Sequence, residues 1–154
     1  MLNTWVKFWR LPADSKRVVV RSALILPATF LGLKIYGFRR LMSRIQQSGP
    51  LPAGVSEERM PEVRACVNLF SAVARRYPLP MKCLGRSVAL CWFLRQRGID
   101  AAVHVGVRKE QKQQNFLDAH AWVQAGDFVI NDTPDVSERY ARVLPTYSKV
   151  ESIR

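Results

Sequence analysis

Apolar residues recur at three- and four-residue spacing up to about residue 98 and then switch to alternation, so the chain predicts helices followed by a sheet. Leu11-Pro12-Ala13-Asp14 offers a helix start, with Asp14 able to accept from free first-turn amides, and a helix is expected to about Leu26. Pro27 should kink or break it, and a second basic, amphipathic segment is expected from about Ala28 to Gln47. Ser48-Gly49-Pro50-Leu51-Pro52-Ala53-Gly54 reads as a linker. A helix beginning at Ser56-Glu57-Glu58-Arg59 carries Val63, Val67, Phe70 and Ala74 on one face and should stop near Arg76, before Pro78 and Pro80. Another should start near Cys83, carry Leu84, Val88, Leu90, Cys91 and Leu94, and end at Gly98.

From Asp100 the period becomes two. Ala101, Val103, Val105 and Val107 alternate with Ala102, His104 and Gly106 as a half-buried strand, which leaves His104 on the exposed side. Lys109 to Asn115 read as a loop, and strands over about 116–124 and 128–132 flank Ala125-Gly126-Asp127 as a hairpin. The expected class is α+β: helices packed on a small antiparallel sheet, with an N-terminal helical extension over 1–49 and a core domain over 50–154.

With 48% hydrophobic residues in 154, the chain is long enough for one globular core. Its charge of +12 is unevenly spread: residues 1–50 hold nine bases and one acid, Asp14. Such a basic extension points to an anionic partner, whether acidic peptide, protein or lipid surface, or else to a solvated face. No nucleic-acid-binding pattern supports a nucleic acid partner. The uncharged run from Ser22 to Leu33 is 12 residues, short of the roughly 20 a spanning helix needs, so a core or interfacial helix is expected rather than a membrane span. Cys66, Cys83 and Cys91 are an odd, unpaired set, which argues for a reducing, cytoplasmic compartment. Cys66 and Cys91 fall at core positions. No metal-ligand spacing links the cysteines with His104 and His120, so neither metal nor cofactor is expected.

Cys83 has the placement of a reactive thiol: a helix N-terminus favours thiolate, and Lys82 and Arg86 add positive charge. A three-residue loop at 125–127 would set His120 directly opposite Asp132, at about 4.5–5.5 Å between Cβ atoms, where a carboxylate can orient an imidazole. A two-residue loop would put His120 opposite Thr133 and send Asp132 to the other face. With Cys83 as nucleophile, His120 as base and Asp132 as orienter, the set would carry acyl transfer. The Cys83 amide is a candidate oxyanion donor, Arg86 and Ser87 are supporting candidates, and Trp122 shares the His120 face and could shield the pair. His104 competes as base but has no acid in register.

Cys83-Leu84-Gly85-Arg86-Ser87, Leu94-Arg95-Gln96-Arg97-Gly98-Ile99, Gly106-Val107-Arg108-Lys109, Ala119-His120-Ala121-Trp122-Val123 and Asn131-Asp132 together resemble the lasso-peptide leader peptidases, a transglutaminase-like family of cysteine proteases with a papain-like logic. Trp5 to Arg44 is similar more weakly. The resemblance implies a Cys83-His120-Asp132 protease that removes the leader from a ribosomally made precursor, after which an ATP-dependent cyclase closes the ring. It also implies the split form, acting with a separate leader-recognition protein, because the helical reading leaves no room for a recognition domain before Pro50. Trp5, Trp9 and Arg10 are candidate contacts for such a partner. A transglutaminase-like acyltransferase and a non-catalytic scaffold for the maturation complex, with Cys83 idle, are the competing readings.

Overall fold

The computed structural model describes residues 12–47, 55–109 and 117–143. The Trp5, Trp9 and Arg10 contacts, the 48–54 linker and most of the loop after Lys109 lie outside the described residues.

The first helix, α1, covers Ala13–Gln46 and runs through Pro27 without leaving helical backbone angles; its break falls at Gly37, with φ 73°. The expected break at Pro27 is therefore corrected. Proline removes one ladder bond but its fixed φ suits a helix, and Ile25, Leu26 and Thr29 anchor the chain on both sides of it. Gly37 instead adopts the left-handed conformation that glycine tolerates at little cost. The chain then turns so that Leu41 lies on Gly32, where an added Cβ would sit 3.1 Å from Leu41 Cδ1. Asp14 is not the cap either: Pro12 precedes the first turn without a side-chain cap, and Asp14 sits inside that turn, where its charge suits the helix dipole.

A 3-10 turn at Glu57–Arg59 leads into α2, Met60–Arg76, which buries Val63, Val67, Phe70 and Ala74 as the spacing requires. The central helix α3, Cys83–Gln96, is buried from Ser87 to Leu94 except at Trp92, which is half-buried. Its end is a Schellman turn: Ile99 N–H bonds Leu94 C=O, Gly98 N–H bonds Arg95 C=O, and Gly98 has φ 76°. Buried residues of α1, including Ile25, Leu26, Met42 and Ile45, share one core with α2, α3 and the sheet.

Strands β1 (Ala102–Lys109), β2 (Leu117–Ala125), β3 (Phe128–Val129) and β4 (Ala141–Arg142) form an antiparallel sheet in the order β3-β2-β1-β4. Val103, Ala121 and Val123 face the α3 side and are buried. The opposite face carries His104, Gly106, His120 and Trp122, and it is covered too, by Tyr140 and by Val136 of the short helix α4, Val136–Arg139. A second small core therefore forms where alternation predicts solvent. Gly106 makes room for it: a Cβ there would lie 2.8 Å from Tyr140 Cβ and 3.1 Å from Trp122 Cη2.

Candidate active site

Four separate parts of the chain meet at one cavity of about 230 Å³, lined among others by Ala74, Cys83, Arg86, His120, Asn131 and Asp132. Cys83 is the first residue of α3 and is exposed. The first helical bond here is Arg86 N–H to Lys82 C=O at 3.1 Å, so the amides of Cys83, Leu84 and Gly85 are not consumed by the helix ladder. No side chain caps this end. An uncapped helix N-terminus stabilises negative charge, on a thiolate or on an oxyanion beside it.

His120 comes from β2, and its Nε2 lies 2.5 Å from Asp132 Oδ2. The expected register does not produce this pair. Gln124 pairs with Val129 and Ala125 with Phe128, so the turn is the two-residue Gly126-Asp127, with Gly126 at φ 61°. Continued as a strand, that register would send Asp132 away from His120. The strand ends at Val129 instead, with one last backbone bond from Ile130 N–H to Val123 C=O at 2.9 Å, and a bend at Ile130–Asp132 returns the carboxylate to the imidazole. The Asn131 side chain ends the strand: its Oδ1 accepts the Val123 N–H at 2.7 Å, in place of a further backbone partner.

Asp132 is held at both oxygens. Oδ2 meets His120, while Oδ1 accepts the Thr133 N–H at 2.7 Å and faces Arg139 Nη2 at 3.3 Å. Burial raises its pKa, but hydrogen bonds from His120 and from the Thr133 amide outweigh this and hold the carboxyl below its ordinary range. An ionised carboxylate only accepts, so the proton of a neutral His120 sits on Nε2 and the lone pair on Nδ1. The arrangement thus leaves Nδ1 as a base in a cavity that also contains an exposed thiol.

The supporting candidates divide. Arg86 and Ser87 both line the cavity, but Arg86 is exposed at it, whereas Ser87 is buried and donates its hydroxyl to Ala121 C=O at 2.9 Å, which ties α3 to β2 at the cavity wall. Asn131 Nδ2 reaches the same hydroxyl at 3.4 Å. Trp122 is fully buried and stacks on His120 with centroids 6.3 Å apart, and Tyr140 lies 5.2 Å from the same imidazole. Tyr140 in turn donates to Asp118 Oδ2 at 2.8 Å. Sequence reasoning missed Asn131, Arg139 and Tyr140 in these roles. The adjacent polar pair Asn131-Asp132 after a strand was the one available signal for Asn131.

The other cysteines sit elsewhere. Cys91 is buried, bonds Ala101 C=O at 3.1 Å, and burial pushes its pKa up to about 12. Cys66 is half-buried and lines a different cavity, with Arg21, Arg59 and Arg97. Among the described residues no group of three or more His, Cys, Asp and Glu side chains could hold a metal ion.

His104 corrects an expectation: it is 4% exposed rather than solvent-facing, because the second small core covers its side of the sheet. It stacks on Trp122 at 5.8 Å. Burial, with Arg142 adding positive charge, lowers its pKa from 6.5 to about 4. The folded state therefore takes this proton near pH 4 and the unfolded chain near 6.5, so the contribution is complete above pH 6.5 and is lost as pH falls toward 4. In urea unfolding, His104→Phe, which keeps a ring against Trp122, is expected to lose roughly 2 kcal/mol less than the unaltered chain between about pH 7 and pH 5. Parallel losses in the two proteins would show that His104 does not carry this dependence.

A family model described as the transglutaminase-like superfamily matches residues 25–145, most of the chain and all of the cavity. The chain belongs to the transglutaminase-like superfamily. That superfamily includes cysteine proteases and acyltransferases, and its fold is commonly catalytic. No curated protein and no solved structure matches the chain. The transglutaminase-like region begins inside α1, so the helix is part of the matched unit from residue 25 onward.

Proposed function

We propose that the protein is a cysteine peptidase that cuts the leader from a ribosomally made lasso-peptide precursor. The observation that carries the reaction class is the cavity shared by the Cys83 thiol at an uncapped helix start and an imidazole oriented by Asp132. The motifs around Cys83, His120 and Asp132, which resemble the leader peptidases, support the substrate.

In this reading His120 Nδ1 takes the Cys83 proton and the sulfur attacks the scissile carbonyl, forming a C–S bond and an oxyanion that the Cys83 amide can receive. Collapse breaks the C–N bond. The imidazolium proton goes to the departing amine, which is the new N-terminus of the core peptide. The leader remains as a thioester until water, deprotonated by His120, hydrolyses it and frees the thiol. Asp132 steadies the imidazolium throughout. Phe70, Ala74 and Leu90 give the cavity apolar wall for a substrate side chain, and Arg75 and Arg86 stand at it as cations.

A separate leader-recognition protein supplies selectivity and an ATP-dependent cyclase takes the product, in a cytoplasm that keeps the three cysteines reduced. Incubation with precursor, with and without the recognition protein, and mass analysis of the products tests the proposal. A leader ending in a free carboxylate and a core with a free amine are expected, faster with the recognition protein present. A leader joined to an added amine would make the protein an acyltransferase instead, and intact precursor in both incubations would remove the proposal.

A further inference from the structure

Helix α1 is apolar on two opposite sides. One side, with Val18, Ile25 and Leu26, enters the core shared with α2 and α3. On the other, Val20, Leu24, Leu31 and Ile35 are 49%, 66%, 55% and 68% exposed. At about 100° per residue these four fall within a stripe roughly 60° wide, and at about 1.5 Å rise they span about 22 Å. The buried positions lie on the far side of the helix. A surface helix of a globular domain ordinarily turns polar residues outward, so this ridge needs a covering that the described residues do not supply.

The charges beside it indicate the covering. Arg17 and Arg21 border the ridge on one side and Lys34 on the other, and residues 15–46 contain no acid. The helix's only acid, Asp14, lies in its first turn and pairs with Arg17 at 3.5 Å. The preceding sequence, Trp5-Val6-Lys7-Phe8-Trp9-Arg10, continues the same mixture of aromatics and bases, a composition favoured at the headgroup level of membranes. By length and composition the helix could cross a bilayer. Crossing would draw Val18, Ile25 and Leu26, together with the buried Ser22 and Thr29, out of the core they help build.

We infer that α1 lies along an anionic lipid surface, with Val20, Leu24, Leu31 and Ile35 entering the acyl boundary and Arg17, Arg21 and Lys34 meeting lipid phosphates. A lipid surface suits a convex ridge on one unbroken run of helix, and it supplies negative charge on both sides of that ridge at once. A protein partner would have to supply a groove rimmed with acids. The helix turns away at Gly37, which ends the ridge just beyond Ile35. This inference is independent of the reaction at Cys83.

The test is flotation of the 154-residue chain with vesicles of phosphatidylcholine containing phosphatidylglycerol, and with phosphatidylcholine alone. Binding to the anionic vesicles, at least tenfold weaker with phosphatidylcholine alone and weakened by salt, is expected. Leu24→Ser combined with Leu31→Ser should reduce it at least tenfold while leaving circular dichroism and precursor cleavage unchanged, since neither side chain reaches core or cavity. Three results would overturn the inference: no flotation of the unaltered chain, equal flotation of the double variant, or self-association in sedimentation velocity that the same variant abolishes. The last would assign the ridge to a second copy.

Discussion

Cys83→Ala is expected to reduce leader cleavage by about five to six orders of magnitude, the scale seen when the nucleophile of a hydrolytic triad is removed. The loss should fall on kcat. Cys83 is exposed at the first position of α3, so alanine opens no cavity and is favourable in a helix; unfolding free energy should stay within about 0.5 kcal/mol. Binding of precursor and recognition protein should persist. Cys91 cannot stand in, because its thiol is buried against Ala101 C=O and its pKa is pushed up to about 12. Cys66 lines a separate cavity. Retained cleavage in purified Cys83→Ala would therefore remove the nucleophile assignment, and with it the peptidase reading. Lost binding as well as lost cleavage would point to a misfolded variant, which circular dichroism would reveal.

Asp132→Asn should lower kcat by about three to four orders of magnitude with little change in KM, as for the equivalent change in a serine-protease triad. The reason lies in the tautomer. Asp132 Oδ2 accepts from His120 Nε2, which leaves the lone pair on Nδ1. An asparagine amide can present N–H to Nε2, stabilising the tautomer whose proton occupies Nδ1, where the base is needed. The variant also gives up the charge that faces Arg139 at 3.3 Å. Thr133 N–H and the Thr133–Arg139 hydrogen bond remain to hold the bend, so the fold should survive. An unchanged rate would assign Asp132 to structure alone.

Much of this arrangement was readable from residue spacing, though not always for the right reason. The start of α3 at Cys83 follows from the apolar pattern behind it, and Gly98 marks its end because only a left-handed residue completes that turn. The meeting of His120 and Asp132 was expected from an odd hairpin loop. It arises from an even one followed by a bend, because Asn131 replaces a backbone partner of Val123. Period-two reasoning assumes that a strand continues, and a side chain that mimics the ladder breaks that assumption.

His104 shows a second limit. Alternation reports which side chains share a face, but it cannot report what covers the face. The covering comes from Val136 and Tyr140, in a stretch of four-residue helix and two-residue strand too short to leave a period. Arg139 and Tyr140, which brace Asp132 and His120, were unreadable for the same cause. At Pro27 the propensity was sound and tertiary packing outweighed it, while Gly37 carried the break through its backbone freedom.

The seam between α3 and the sheet has a further consequence. Cys83 belongs to the helical layer, His120 to the sheet, and Asp132 to the bend that follows it. Ser87 and Asn131 fasten the two layers just behind them. Nothing in the chain brings thiol and imidazole together before those layers close, since 37 positions separate them. A partly made chain leaving the ribosome with only its helices in place would carry a thiol but no base, so cutting would have to wait for the last third of the protein to be synthesised and docked.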